Sequence, residues 1–261
     1  VKIPVCGVAG DQQAALVGQG CLNVGDSKIT YGTGLFMLYN TGEKAIISKN
    51  GLVTTIGYGI GGRISYAFEG GVFNAGSAVQ WLRDNLRFFR HSSESEALAA
   101  SVEDSGGVYV VPAFTGLGAP YWDPEAKGLI TGITRATTKA HITRATLESM
   151  AYSAKDLVIV MEKESGIKLS ELKCDGGASS NDLLMQFQAD VLGVGVNRPR
   201  EKESTALGAV YLCALGLNLI KKEDISDLRE CEKFFEPKYD EVKYEKLYDG
   251  WKRAVGRCLH D

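Results

Sequence analysis

Asp11 is the carboxylate whose surroundings most invite a chemical reading. It follows Gly10 at the corner between an apolar run, Ile3-Pro4-Val5-Cys6-Gly7-Val8, and an Ala-rich segment that favours helix. The run predicts a short strand, and Gly10 lets the backbone turn sharply. A carboxylate at a strand-to-helix corner points into the cleft of many α/β enzymes, at the carboxyl end of the sheet. An Asp at such a corner also serves as a helix cap, which is its commoner use. Gln12 and Gln13 place two amides beside it, both able to hydrogen-bond hydroxyl groups.

Three further stretches could hold phosphate or nucleotide. Tyr31-Gly32-Thr33-Gly34 joins two short strands in a tight turn with exposed N–H groups. Such a turn can cradle phosphate oxygens, with the Thr33 hydroxyl adding a donor; Gly-x-Gly alone equally describes an ordinary hairpin. Gly76 stands just before a helix, where a ligand could approach the backbone, and Gln80 follows one turn later. Asp175-Gly176-Gly177-Ala178-Ser179-Ser180-Asn181 follows the short strand Leu172-Lys173-Cys174 and precedes a helix. Strand, Gly-Gly, helix is the order that brings a nucleotide against a helix N-terminus, and Ser179 and Ser180 are good caps for that helix.

The elements that must position these residues read as strands and hairpins first, then alternating strand and helix, which is α/β with a mixed sheet. Lys28 to Asn40 predicts a hairpin and Gly51 to Phe73 a second one. Apolar residues at 78, 79, 82 and 86 mark a helix over Ser77 to Leu86. Phe89 to Gly107, with its run Ser92-Ser93-Glu94-Ser95-Glu96, reads as a solvated surface helix with loops. Val108 to Pro112 is a buried strand, and Phe114 to Pro124 is irregular. A long helix runs from about His141 to Ser165, with His141 capping it and Glu148 in an internal hydrogen bond or salt bridge. Leu183, Leu184, Phe187, Val191 and Leu192 form one face of a later helix. Ala206 to Gly216 is apolar all round and predicts a buried helix, with Gly208 allowing close packing. Tyr239 to Leu259 closes the chain as a helix facing inward through Tyr244, Leu247, Tyr248, Trp251 and Val255.

Composition narrows the function class. The 261 residues are 44% hydrophobic, enough for a sizeable core. Lys plus Arg number 29 against 32 Asp plus Glu, so the net charge is 29 − 32 = −3, which points away from nucleic acid and anionic membranes. No apolar run approaches the roughly 20 residues needed to cross a bilayer. The six cysteines are scattered, without a C-x-x-C pair, and read as reduced thiols in a reducing cytoplasm rather than zinc ligands.

Taken together, Gly10-Asp11-Gln12-Gln13-Ala14-Ala15-Leu16-Val17-Gly18-Gln19, Tyr31-Gly32-Thr33-Gly34, Phe114 to Pro124 and Asp175-Gly176-Gly177-Ala178 with Asn181 resemble the FGGY family of carbohydrate kinases, in its glycerol-phosphorylating branch. The similarity runs from about Ile3 to Arg253. It implies a ribonuclease H-like fold of the actin and hexokinase type, with a mixed sheet flanked by helices. The chain 1–261 is then expected to be a single domain, the C-terminal half of a two-domain kinase. The absence of Met at position 1 and the early entry into a strand agree with that expectation.

What the resemblance implies chemically is transfer of the γ-phosphoryl group of ATP to a primary hydroxyl of glycerol. Asp11 would be the general base, lying near Mg²⁺ as its metal-side carboxylate. Gln12 would hydrogen-bond a substrate hydroxyl, and Phe36 would give the carbon chain an apolar wall. Thr33, Gly76, Gln80, Gly177, Ala178 and Asn181 would hold ATP or ADP. The partner domain would supply the second phosphate loop and most contacts to glycerol, and the complete enzyme would be a homo-oligomer. Alternatives are another sugar kinase of the family, for xylulose or ribulose, and a nucleotide-binding module without catalysis, as in actin. The Gln12-Gln13 pair and the Pro120-Tyr121-Trp122 loop favour glycerol.

Overall fold

The computed structural model describes residues 2–238 and 240–260. Its frame is a seven-stranded mixed sheet. The strands are β1 (Ser27–Tyr31), β2 (Leu35–Gly42), β3 (Val53–Ile60), β4 (Arg63–Val72), β7 (Glu171–Asp175), β8 (Gly195–Pro199) and β9 (Cys231–Phe235), in the order β3-β4-β2-β1-β7-β8-β9. β5 (Tyr109–Val111) and β6 (Leu129–Thr131) form a separate antiparallel pair. β1 pairs antiparallel with β2 and parallel with β7, and β7 continues parallel into β8. Both expected hairpins form. The second turns at Gly61 and Gly62, both at positive φ (59° and 78°), as a tight two-residue turn requires.

The helices are α1 (Asp11–Gly18), α2 (Gly76–Asp84), α3 (Glu94–Ala100), α4 (Lys139–Ser165), α5 (Asp182–Leu192), α6 (Ser204–Gly216), α7 (Asp224–Leu228) and α8 (Glu241–Gly256). Strand alternation sorts the two faces of the sheet. Leu35, Met37 and Tyr39 of β2 point into the main core with α4, α5 and α8 residues such as Leu147, Tyr152, Leu184 and Trp251. Leu38 points the other way and joins Leu16 and Val17 of α1 and Tyr211 of α6 in a second, smaller cluster. α1 and α6 cross closely: a Cβ on Gly208 would fall on the carbonyl of Ala14. At the start of α4 the His141 ring accepts the Thr138 backbone N–H at 3.2 Å, the expected cap, and Glu148 pairs with Arg144 at 2.9 Å.

Three expectations fail locally, and one helix forms with shorter ends. Ile3 to Val8 forms no strand. Ile3, Val5 and Val8 are exposed, while Cys6 and Gly7 lie against the backbone of α6 at Gly216 and Cys213. The free sheet edges belong to β3 and β9, and Ile3 to Val8 pairs with neither. α6 is not buried all round: Gly208 and Tyr211 face inward, but Val210 is 60% exposed with Ala206 and Ala209 beside it. α6 packs chiefly against α1, with Cys6 and Gly7 on its C-terminal half. α5 is capped by Asn181, whose side-chain oxygen accepts the Leu184 N–H at 2.9 Å. Ser179 and Ser180 lie instead in a short 3-10 turn, Gly177–Ser180, with the Ser179 hydroxyl donating to Gly176. The closing helix begins at Glu241, capped by Asp240, and Tyr239 lies outside the described residues.

Candidate functional site

The expected site residues gather around the carboxyl end of β1, on both faces of the sheet. Thr30 of β1 stands opposite Phe36 of β2 on one side and beside Asp175 of β7 on the other. Residues directly opposite share a face, so Phe36, Thr30 and Asp175 lie in one row, with Lys28 two positions back on the same face. α1 covers this face. Its first residue, Asp11, is exposed at the helix N-terminus, a favourable end for an anion. Asp11 is not the cap, which is Gly10; its Oδ1 accepts the Gln12 N–H at 2.7 Å.

Beneath Asp11 and Gln12 lies a buried polar layer that the motifs do not announce. The Lys28 side chain is fully buried, and its ammonium donates to the side-chain oxygen of Gln12 and to the Thr30 hydroxyl at 3.0 Å. Burial pushes the Lys28 pKa down to about 8, against the opposing pull of Asp175, Cys21, Glu69 and Asp11. Burial raises the Glu69 carboxyl above its usual range, with Lys28 pulling it back. Asp175 is also buried. Gln19 donates to its Oδ2 at 3.0 Å, and its Oδ1 has no hydrogen-bond partner among the described residues. Lys28 could have been suspected only as the one charged residue of β1; nothing in the sequence says which face it takes.

The opposite face of the same strand end opens into a cavity of about 510 Å³. Its wall brings together Gly76, Gln80, Gly177, Ala178 and Asn181 with Tyr31 and Gly32. Tyr31 is itself anchored below, donating its hydroxyl to Gln188 at 2.6 Å. Thr33 is exposed at the tip of the turn. The turn is fixed to α2: Gly76 donates its N–H to the Gly32 carbonyl at 3.0 Å, and Ala75 and Ser77 both donate to the Thr33 carbonyl. A Cβ on Gly76 would sit 2.5 Å from that Gly32 carbonyl, so the packing of the turn on α2 itself demands glycine there. Gly177 differs, because a Cβ there would meet nothing within 4 Å. Val79 and Leu147 add apolar wall suited to a flat ring.

Two expectations about this cavity change. Asn181 lines it, but its side-chain oxygen is committed to capping α5, so only its amide nitrogen is free of that task. The Ser92 to Glu96 run is not merely a solvated surface. Ser92, Ser93, Ser95 and Glu96 line the cavity, and Glu96 accepts the N–H groups of Asp182 and Leu183 at 3.0 and 3.2 Å. That contact spans 86 positions in sequence, so no local pattern could reveal it.

The Phe114 to Pro124 loop is hung on β4 by the Ala119 N–H, which donates to Gly71 at 2.9 Å. Gly71 is the residue over which Phe36 packs, with an added Cβ meeting its ring at 3.1 Å. Trp122 turns away to donate its indole N–H to the Gly51 carbonyl at 2.6 Å.

A mixed sheet between helical layers, with a pinned glycine turn at the end of its first strand, is the architecture of the actin-like ATPases. The chain belongs to the FGGY family of carbohydrate kinases: residues 27–217 match the model of that family's C-terminal domain. Among curated relatives it is 58% identical to the glycerol kinase of Symbiobacterium thermophilum over 98% of its own length and 52% of the relative's. It is 57% identical to the glycerol kinase of Thermus thermophilus over 99% of its length and 52% of the relative's. The chain therefore spans about half the length of the curated relatives it matches. Among solved structures it matches Plasmodium falciparum glycerol kinase with ADP at a TM-score of 0.90 and 39% identity, over 97% of this chain and 51% of that one. A xylulose kinase from Lactobacillus acidophilus matches at a TM-score of 0.85 but 21% identity, over 95% of this chain and 50% of that one, which speaks to the fold alone.

Proposed function

We propose that these 261 residues form a single domain, the C-terminal half of an enzyme that transfers the γ-phosphoryl group of ATP to glycerol. The observation that carries this reading is the arrangement around the Gly32-Thr33-Gly34 turn. An exposed carboxylate and an amide stand on one side of β1, and a ring-sized cavity opens on the other. ADP in the solved Plasmodium relative and the many glycerol kinases among close relatives support the choice of nucleotide and acceptor.

In this reading Asp11 accepts the proton of the attacking hydroxyl, Gln12 orients the acceptor, and Phe36 walls its carbon chain. Thr33 holds phosphate oxygens, while Gly76, Gln80, Gly177, Ala178 and Asn181 hold the nucleoside. Mg²⁺ fits the site, because it binds through one or two carboxylates plus phosphate oxygens, and Asp11 supplies such a carboxylate. The ion would neutralise phosphate charge during transfer. The partner domain would close over the acceptor and exclude water.

The test is a coupled assay of the full-length protein with ATP and glycerol, repeated with Asp11→Asn. That substitution is expected to lower turnover about 10²–10⁴-fold, with ADP affinity unchanged within a few-fold. Near-normal turnover would reduce Asp11 to a first-turn acid that merely complements the helix dipole.

A further inference from the structure

We infer that Lys28 is a positioning residue of the acceptor site: by holding the side-chain oxygen of Gln12, it leaves the Gln12 amino group as the end that meets the substrate. Gln12 then acts as a hydrogen-bond donor to one hydroxyl oxygen of the acceptor, beside Asp11 as a proton acceptor. The inference rests on the phosphotransfer reading above and adds to it the polarity of the amide.

The geometry leaves one orientation. An ammonium has donors only, so it can face the oxygen of a carboxamide and never its amino group. Lys28 is fully buried and donates to Gln12 and to Thr30, and no described carboxylate forms an ion pair with it. A buried ammonium is costly unless its donors are met. Rotating the Gln12 amide would bring two donors together and leave the ammonium short of a partner. Lys28 itself has little freedom. It lies in the middle of the sheet, opposite Leu38 of β2 and Lys173 of β7. The amide orientation is therefore set by the sheet, before any substrate arrives.

Acidic groups around Lys28 keep it partly protonated. Asp175 on β7, Glu69 on β4, Asp11 on α1 and the Cys21 thiol all favour the charged form, while burial lowers the pKa to about 8. Above that pH a neutral amine offers a lone pair as well as donors, and the amide is no longer held one way. Binding of the acceptor should then weaken on the alkaline side.

The experiment measures glycerol and ATP kinetics of the full-length protein for wild type, Lys28→Met, Gln12→Glu, Gln12→Ala and the Gln12→Ala/Lys28→Met double variant. Lys28→Met is expected to raise the glycerol KM about tenfold, to leave the ATP KM unchanged, and to abolish the rise in glycerol KM expected of wild type above about pH 8. In the Gln12→Ala background it should add nothing. Gln12→Glu keeps an oxygen for Lys28 but loses the donor, so its glycerol KM should also rise about tenfold while its melting temperature holds. An unchanged glycerol KM in Lys28→Met or Gln12→Glu overturns the assignment, as do additive losses in the double variant. If Lys28→Met fails to fold, Gln12→Glu decides alone. A wild-type protein that transfers no phosphate to glycerol overturns this inference and the phosphotransfer reading together. Activity with indifferent variants overturns only the inference.

Discussion

At the scale of single residues, the two glycines of the cavity have different reasons for being glycine. Gly76 lies against the Gly32 carbonyl, so a side chain there would break the packing of the turn on α2. Gly177 lies open to the cavity, where an added Cβ touches nothing. Gly177→Val is therefore expected to fold normally, with an unchanged melting temperature, while its branched side chain occupies the space proposed for the nucleoside. ADP affinity, measured by calorimetry, should fall at least about tenfold, the equivalent of one lost good contact. Unchanged ADP affinity in a folded variant would place the nucleotide elsewhere. The same contrast explains why a glycine motif alone is a weak signal: one of these glycines serves the fold and only the other is free to serve a ligand.

At the scale of elements, α4 and α8 are tied together by a buried carboxylate. Asp156 of α4 accepts the Tyr248 hydroxyl at 2.5 Å and the Trp251 indole N–H at 2.8 Å, both from α8. Trp251 also stacks on Tyr152 of α4, with ring centroids 5.5 Å apart. Burial pushes the Asp156 pKa up to about 6, against the hydrogen bonds from Tyr248, Trp251 and Tyr121. The folded value lies above the ordinary carboxyl value of 3.8. The contribution of this group to stability is thus fully present below about pH 4 and is lost as pH rises through about 6. Asp156→Asn puts an amino group against one of the two donors and is expected to cost about 1–3 kcal/mol near pH 4. That cost should shrink as pH rises through about 6. Urea melts of both proteins between pH 4 and 7 measure the difference, and a cost constant across the window would contradict the raised pKa.

At the scale of the whole molecule, the proposed chemistry sits at a rim. Asp11 and Thr33 are exposed, and Phe36 is 36% exposed, whereas phosphoryl transfer needs an acceptor aligned and shielded from water. The curated relatives are about twice as long as this chain. The 261-residue chain by itself is expected to bind ADP yet to phosphorylate glycerol far below the roughly 1–100 per second typical of kinases. A coupled assay beside a nucleotide titration checks both halves of the statement. A kinase-like rate would show that these 261 residues suffice for the reaction. The same view accounts for α6: Val210 and its neighbours form an apolar face, but one side of the helix has no partner within the described residues.

By itself the sequence determined both hairpins, the strands at Val108 and Leu172, the long α4 and the core faces of α5 and α8. These are local signals: period-two and period-3.6 apolar patterns, glycine turns and caps each act within a few residues. It also placed Asp11, Thr33, Gly76, Gln80 and Gly177 as candidates, because short motifs carry their spacing with them. Tertiary structure decided what depends on neighbours distant in the chain. It laid Cys6 and Gly7 against the backbone of α6 instead of in the sheet, and left one side of α6 uncovered because packing, not composition, sets burial. It brought the Ser92 to Glu96 run to the cavity through Glu96 capping α5. It also buried Lys28 beneath Gln12, since the face a strand residue takes is set by the register of the sheet and by the helix laid across it.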